Sequence, residues 1–591
     1  MRKQVGRTDG GLSRRTFLKG AGIGALGVAA AGPLVACSNS SNAASADSAT
    51  QIETSWRTPP EIVADFAEEY DADVCICGMG YAGVTACREL AEEGYKAILF
   101  EVQPEDTYGA QGNMIGCVDA AALRERGLPE INKVEFFNNW MMNTNNYANQ
   151  ELVMKFIQNC GNNVDWYLSE LTDEDMDSMT VMYWPKYEHQ MDQIGVHKFW
   201  PHNLSFYGSC SQTTIQGYNR KIAEENGAQF IFGTDAQYVI MENGKVTGCV
   251  GKNDNGYIKV NCKAVVLSTG GFGGNFDMMA DLMPDMAGCM TPDEEFYSME
   301  MRNGRGIQMA LWAGGKLESW PVPGMCMKHY MPKAMTSTTP WSLWLDKNGN
   351  RFCNEYYPVI EHRGREIMFH SREKMFLVFD SKLPEYAGYI VPQHGAYVPS
   401  ENNLQTLREE MDKAVTKLDG TYTEAENDTA NAGQAGPEGS DPYTANYEYV
   451  VGHTLEELAN NLGLDGTTKE NFLASIERYN QMCEQGVDED FGRDPEVLFP
   501  VLQEPFFAVE AHPSLGATMT TMGGVLTDAE QNVLDENYEP IPGLYCSGNS
   551  CGRRFGSEYF TPIPGVSLGM VITLGRECGK SVGSWLKKNA Q

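Results

Sequence analysis

The spacing of apolar residues changes period several times along this chain, and most sharply between Asp71 and Glu101. Val74 to Cys77 is an unbroken apolar run of the length of a fully buried strand. Val84 to Glu93 follows a helical period, with Gly94 placed to end it as a C-terminal cap. Lys96 to Phe100 is a second apolar run and closes on Glu101. Together these predict one βαβ unit. Helical patterning returns over residues 130–170 and around Thr214 to Glu225. Gln229–Phe232 and Gln237–Met241 read as strands; Asn243-Gly244 then turns into Val246–Val250, and Tyr257–Val260 follows, which predicts hairpins within a small antiparallel layer. Ala264 to Leu267 is one more buried strand.

Beyond Phe276 tryptophans, methionines and other aromatics thicken, which marks an inserted domain to about residue 502. Within it, Ile307–Trp312 is helical, Leu343–Phe352 reads as strand, turn, strand, and Thr454 to Glu457 has the spacing of a capping box. Residues 419–445 are polar and acidic and read as a solvated excursion. The first pattern resumes with Thr521–Val525, a meander to Asp535, a strand near Leu544 and a long final helix after Pro564.

The turn between the first strand and helix supplies the first chemistry. Gly78-Met79-Gly80-Tyr81-Ala82-Gly83 has the GxGxxG spacing. Gly78 permits the tight turn, Gly80 admits a pyrophosphate against the backbone, and Gly83 lets helix and strand close up. The helix N-terminus holds the diphosphate, and Glu101 stands where an acid takes ribose hydroxyls. Strand, glycines, helix, second strand and acid agree, so the motif is more than a glycine-rich turn. Gly109 to Gly116 is a second glycine-spaced loop.

With 591 residues, 42% apolar and 10% aromatic, the chain builds a large core in two or three domains. A formal charge of −34 repels nucleic acid and anionic membranes, and suits either plain solubility or docking to a basic redox partner. The 16 cysteines form no CxxC pair and no CxxCH haem site. Most read as small apolar residues, and spacing leaves open a cluster assembled from distant ones. Ser13-Arg14-Arg15-Thr16-Phe17-Leu18-Lys19 matches the twin-arginine export signal, and a weakly apolar stretch from Gly20 to Val35 follows it. Leu34-Val35-Ala36-Cys37 reads as a lipobox, with Cys37 the lipidated residue; an unmodified Cys37 beside an ordinary cleavage site is the alternative. This predicts a signal peptide over 1–36, a flexible tether over 37–70 and export by the twin-arginine translocase. The protein then sits on the outer side of the cytoplasmic membrane, held only by a lipid on Cys37.

With its landmarks in order, the chain from about Asp71 to Val582 resembles the flavoprotein family of fumarate reductases, succinate dehydrogenase flavoprotein subunits and 3-ketosteroid dehydrogenases. The resemblance is carried by GMGYAG with Glu101, STGGFGGN, NGRGIQMALWAGG, DKNGNRFCNE, TTMGGV, IPGLYCSGN and GVSLGMVITLGR. It implies an α/β fold: a Rossmann-like FAD-binding domain of GR2 type in two segments, 71–275 and 503–591, around an α+β capping domain, 276–502. FAD is the implied cofactor. Its implied contacts are Gly78, Gly80, Tyr81, Ala82, Gly83 and Glu101, then Gly112, Asn113 and Met114, then Thr269, Gly270, Gly271 and Asn275. Gly548, Asn549 and the helix start Gly565-Val566-Ser567-Leu568 complete the set. The implied reaction is hydride transfer between flavin N5 and a conjugated carbon–carbon double bond.

The chain departs from the fumarate reductases at two carboxylate clamps. Thr520 stands near the place of their histidine, and the register of their loop arginine falls on Thr561 to Gly565. A dicarboxylate without its clamps binds poorly, so the expected substrate is a larger, less charged enone, enoate or aromatic acrylate. The proton donor is expected to be Arg363, with Tyr559 as the rival and a core aromatic as the plain alternative for it. His362 and His512 also fall near active-site segments. With no haem sequence in the chain, electrons must come from a separate cytochrome or a quinol. The competing readings are an α,β-dehydrogenase of ketosteroid type and a lipid-anchored flavin-binding protein without turnover.

Overall fold

The computed structural model describes residues 56–181, 198–206, 210–284, 302–319, 322, 324–325, 341–356, 374–389, 399–421, 449–511, 520–556, 559 and 561–589. A six-stranded sheet draws on both ends of that span. Its order is Asn532–Leu534, Pro540–Cys546, Ala264–Leu267, Val74–Cys77, Ala97–Phe100, Gln229–Ile231. The first strand is antiparallel to its neighbour and the other five run parallel. Every residue of Val74–Cys77, Ala97–Phe100 and Ala264–Leu267 is buried, the mark of parallel strands covered on both faces.

Helices Tyr81–Glu92 and Val566–Lys588 pack together beside this sheet. The small layer has four strands, antiparallel but for the first pair, in the order Glu68–Asp71, Gly256–Asn261, Lys245–Asn253, Asp235–Glu242. Its hairpin turns at Asn243 and Gly244, both with positive φ, the geometry this dipeptide favours. Glu68–Asp71, at the end of the stretch read as a tether, runs parallel to Gly256–Asn261.

A second sheet, all antiparallel, has the order Leu343–Asp346, Met375–Asp380, Phe506–Ala511, Val450–Gly452. Met375 to Asp380 is buried throughout, and alternation along it feeds two cores. Met375, Leu377 and Phe379 join Trp344 and Phe507 on one side. Phe376 and Val378 meet Leu343, Leu345, Phe472 and Ile476 on the other. Phe506–Ala511 extends this sheet past residue 502.

The expected second arm of the 343–352 hairpin is a single bridge, Leu345 to Arg351. The arm stops because Arg351 turns inward. Its guanidinium pairs with Glu355 at 2.9 Å and Asp488 at 2.8 Å, and Arg493 joins Glu355 at 3.2 Å. Thr454 caps helix Leu455–Asn461 through Glu457 N. The box does not close on itself, however: the Glu457 carboxylate accepts from the N–H of His453.

Candidate functional site

The turn after Val74–Cys77 is a cradle that side chains would fill. Gly78 has φ +97°, and a Cβ there would lie 2.8 Å from the Ser268 carbonyl oxygen. A Cβ at Gly83 would run into the Gly78 carbonyl oxygen. Gly80 is the N-cap of Tyr81–Glu92 and no side chain caps that helix, so its first amides are open to an anion. Glu101 is 4% exposed. Its oxygens accept from the N–H groups of Met79 at 2.7 Å and Gln103 at 2.9 Å. The two bonds fix the carboxylate at the strand end and leave each oxygen a second lone pair for a hydroxyl. The Tyr81 hydroxyl donates to the Gln111 carbonyl at 2.6 Å, which ties the second glycine loop to the first, and Ala82 is buried beneath it.

That second loop lies along the start of the last helix. Gly112 has positive φ and sits against the Leu568 side chain, and Met114 pairs with Ser205. The Asn113 carbonyl accepts from Phe206 N, and Gly116 N donates to Gly565 O at 2.8 Å. A Cβ at Gly569 would coincide with the Gly116 carbonyl. Gly565 is left-handed, φ 70°, and no side chain caps the 23-residue helix it opens. The amides of Val566, Ser567 and Leu568 therefore present the positive end of a long macrodipole.

The third glycine stretch arrives between these two helix starts. Thr269 Oγ1 accepts from Gly306 N at 2.7 Å, the Gly270 carbonyl from Ser550 Oγ, and the Gly271 carbonyl from Gly304 N. Asn275 caps helix Phe276–Leu282 through Met278 N and donates to the Asn303 carbonyl. Gly548 has φ 72° and approaches Ala82. Two uncapped helix N-termini, glycine-lined turns and a fixed acid at the strand end fit an extended dinucleotide.

A polar cluster is built around Met522, beside the N-terminus of the last helix. Ser567 Oγ lies 3.7 Å and Arg554 Nη2 3.8 Å from Met522 Sδ. Arg554 is 0% exposed. Its Nε donates to Cys551 O at 3.0 Å and its Nη2 to Asn549 Oδ1 at 2.9 Å. Among the described residues Nη1 has no hydrogen-bond partner and no carboxylate pairs with the guanidinium. Burial lowers its pKa, yet a guanidinium remains charged. Asn549 Nδ2 donates to Thr520 Oγ1 at 2.9 Å. Tyr559 is wholly buried and meets Phe555 edge-on, ring centres 4.8 Å apart. The Pro562 carbonyl accepts from Trp200 N.

Behind the cluster stands Glu318. Its oxygens accept from Gly524 N at 2.7 Å and Arg553 N at 2.9 Å. Burial pushes its carboxyl up to about 7 against the pull of those amides and of Arg554 and Arg553. It straps the Thr521–Val525 turn to the Cys551–Arg554 turn.

Arg363, His362 and His512 lie outside the described residues. Thr520, Asn549 and Ser567 come together around Arg554 and Met522, and Tyr559 packs on Phe555, over whose ring the Arg554 guanidinium lies. The fold buries Arg554 in this region, where the register with Gly575-Arg576 offers no cation. The one available signal was the doubled arginine in Cys551-Gly552-Arg553-Arg554-Phe555. Glu318 carries no motif that singles it out among the acids.

The chain is similar over its length to characterised reductases. It is 24% identical to vinyl phenol reductase of Lactiplantibacillus plantarum, covering 86% of this chain and 95% of that protein. It is 24% identical to digoxin reductase of Eggerthella lenta, covering 97% of each. The fold matches the open conformation of a flavocytochrome c3 fumarate reductase with TM-score 0.57 at 19% identity, over 90% of this chain and 83% of that one. It is an α/β flavoprotein fold, and the protein is an FAD-dependent oxidoreductase acting on carbon–carbon bonds. The model of the FAD binding domain family matches residues 73–568, from the first strand to the opening turn of the last helix, and the chain belongs to that family.

Proposed function

We propose that this protein reduces a conjugated carbon–carbon double bond in a substrate larger and less charged than fumarate, on the outer side of the cytoplasmic membrane, with electrons from a separate cytochrome or a quinol. The observation that carries the reading is Arg554: a buried guanidinium with one uncommitted nitrogen beside an uncapped helix N-terminus. One such nitrogen suits one carbonyl or carboxylate oxygen. A second clamp is lacking at position 520, where a neutral hydroxyl is engaged by Asn549.

FAD supplies the hydride when bound. Arg554 holds the activating oxygen and stabilises the negative charge that grows on it. The amides at Val566 and Ser567 favour negative charge at the cofactor's edge. Tyr559 or Arg363 delivers the proton to the α-carbon. The relatives named for vinyl phenol and digoxin reduction support a bulky acceptor. Arg14, Arg15 and Cys37 support export and anchoring; among the described residues no helix is long and apolar enough to cross a membrane.

The test is turnover of the flavin-loaded protein with an artificial one-electron donor. Aromatic acrylates, enones and fumarate are compared. Reduction of a conjugated acceptor with negligible fumarate reduction is expected; rapid fumarate reduction overturns the substrate class.

A further inference from the structure

Three thiols converge under the dinucleotide turn. Cys75 and Cys77 are alternate residues of Val74–Cys77 and so share a face of the central sheet. Cys249 reaches the same point from Lys245–Asn253 of the antiparallel layer. Cys77 Sγ and Cys249 Sγ are 3.6 Å apart, and all three sulfurs lie within 4.8 Å of one another. Each residue is 0% exposed.

The Cys77–Cys249 separation is close to the one a metal imposes. Zinc bonded to sulfur at ~2.3 Å in a tetrahedron holds its sulfurs about 3.8 Å apart. Soft thiolates select soft ions, zinc and iron among them. We propose that Cys75, Cys77 and Cys249 hold a single thiophilic metal ion, zinc. Each thiol that binds releases its proton to solvent as the zinc–sulfur bond forms, and nothing is oxidised or reduced. The ion joins the two sheets directly beneath Gly78. Cys77 is also the residue whose carbonyl accepts from Ser268 N and Oγ, so the ion steadies the turn that receives the cofactor. A site this sealed must be filled as the chain folds.

Metal content of the flavin-loaded protein, measured by inductively coupled plasma mass spectrometry, tests this. About one zinc per chain is expected, falling at least tenfold in Cys249→Ser and Cys77→Ser. Cys578→Ser, a buried cysteine on the last helix, keeps its zinc. If the site variants do not fold, wild-type protein is denatured and alkylated with and without a strong chelator. Mass spectrometry then shows whether Cys75, Cys77 and Cys249 become reactive only after chelation. Folded, flavin-loaded protein with less than about a tenth of an equivalent of zinc, iron and copper overturns the proposal. So does a Cys77–Cys249 disulfide, or zinc unchanged in Cys249→Ser. Iron or copper bound one to one and lost in Cys249→Ser upholds the thiolate site and overturns the choice of zinc.

Discussion

At the scale of single residues, the proposed chemistry rests on Arg554, a wholly buried guanidinium. A buried cation with an open donor costs stability and is worth keeping where charge develops. Arg554→Gln is expected to lower kcat for a conjugated acceptor by about 100-fold or more, the size of one lost oxyanion donor, with flavin content unchanged. Single-turnover kinetics on the loaded protein check it. Tyr559→Phe and Arg363→Gln separate the two proton donors: the true donor loses turnover with little change in substrate affinity. Glu318 makes a pH prediction. Its folded pKa, about 7, lies above the ordinary 4.5. The fold therefore binds more protons than the unfolded chain between those values, and this contribution to stability is lost as pH rises from 4.5 through 7. Melting temperatures measured at pH 5 and pH 8 should fall more for wild type than for Glu318→Gln.

Among the elements, two contacts decide whether site and frame hold. The last helix touches the Met114–Gly116 strand through glycine, where a Cβ on Gly569 has no room. Gly569→Ala displaces the helix start from the glycine loop. It is expected to cost about 1–3 kcal/mol, the usual range for overpacking, and to release FAD. Flavin absorbance after gel filtration and denaturant melts measure both. In the second sheet Arg351, Glu355, Asp488 and Arg493 form a buried ion cluster with side chains at most 5% exposed. Arg351→Leu leaves Glu355 and Asp488 facing each other without their shared cation. A loss of about 3–5 kcal/mol follows for a broken buried pair, read in denaturant unfolding. The Asp488 carboxyl, held at about 2 by Arg351 and backbone amides despite its burial, keeps this cluster intact until pH falls below the ordinary carboxylate range.

The whole molecule carries 79 acidic against 45 basic side chains. Such a surface attracts a basic electron carrier over a distance that salt shortens. Arg14 and Arg15 changed together to Lys are expected to leave the precursor in the cytoplasm, and Cys37→Ala to release exported protein from the membrane. Cell fractionation with immunodetection checks both. A Cys37→Ala protein that stays membrane-bound after export removes the lipid-anchor reading.

Sequence alone determined the βαβ unit, its glycine turn, Glu101 and the final helix, because each rests on local rules: strand and helix periods, the steric freedom of glycine, and an acid at fixed distance. The order of the central sheet was outside its reach, since strands hundreds of residues apart pair there. So was the arm after Asn350, where a buried ion cluster overrides the hairpin pattern. Arg554 escaped a register count because neither burial nor side-chain direction is written in spacing. Glu318 and the thiols of Cys75, Cys77 and Cys249 are of the same kind. Their properties come from partners that only tertiary structure brings within bonding distance, in surroundings from which water has been removed.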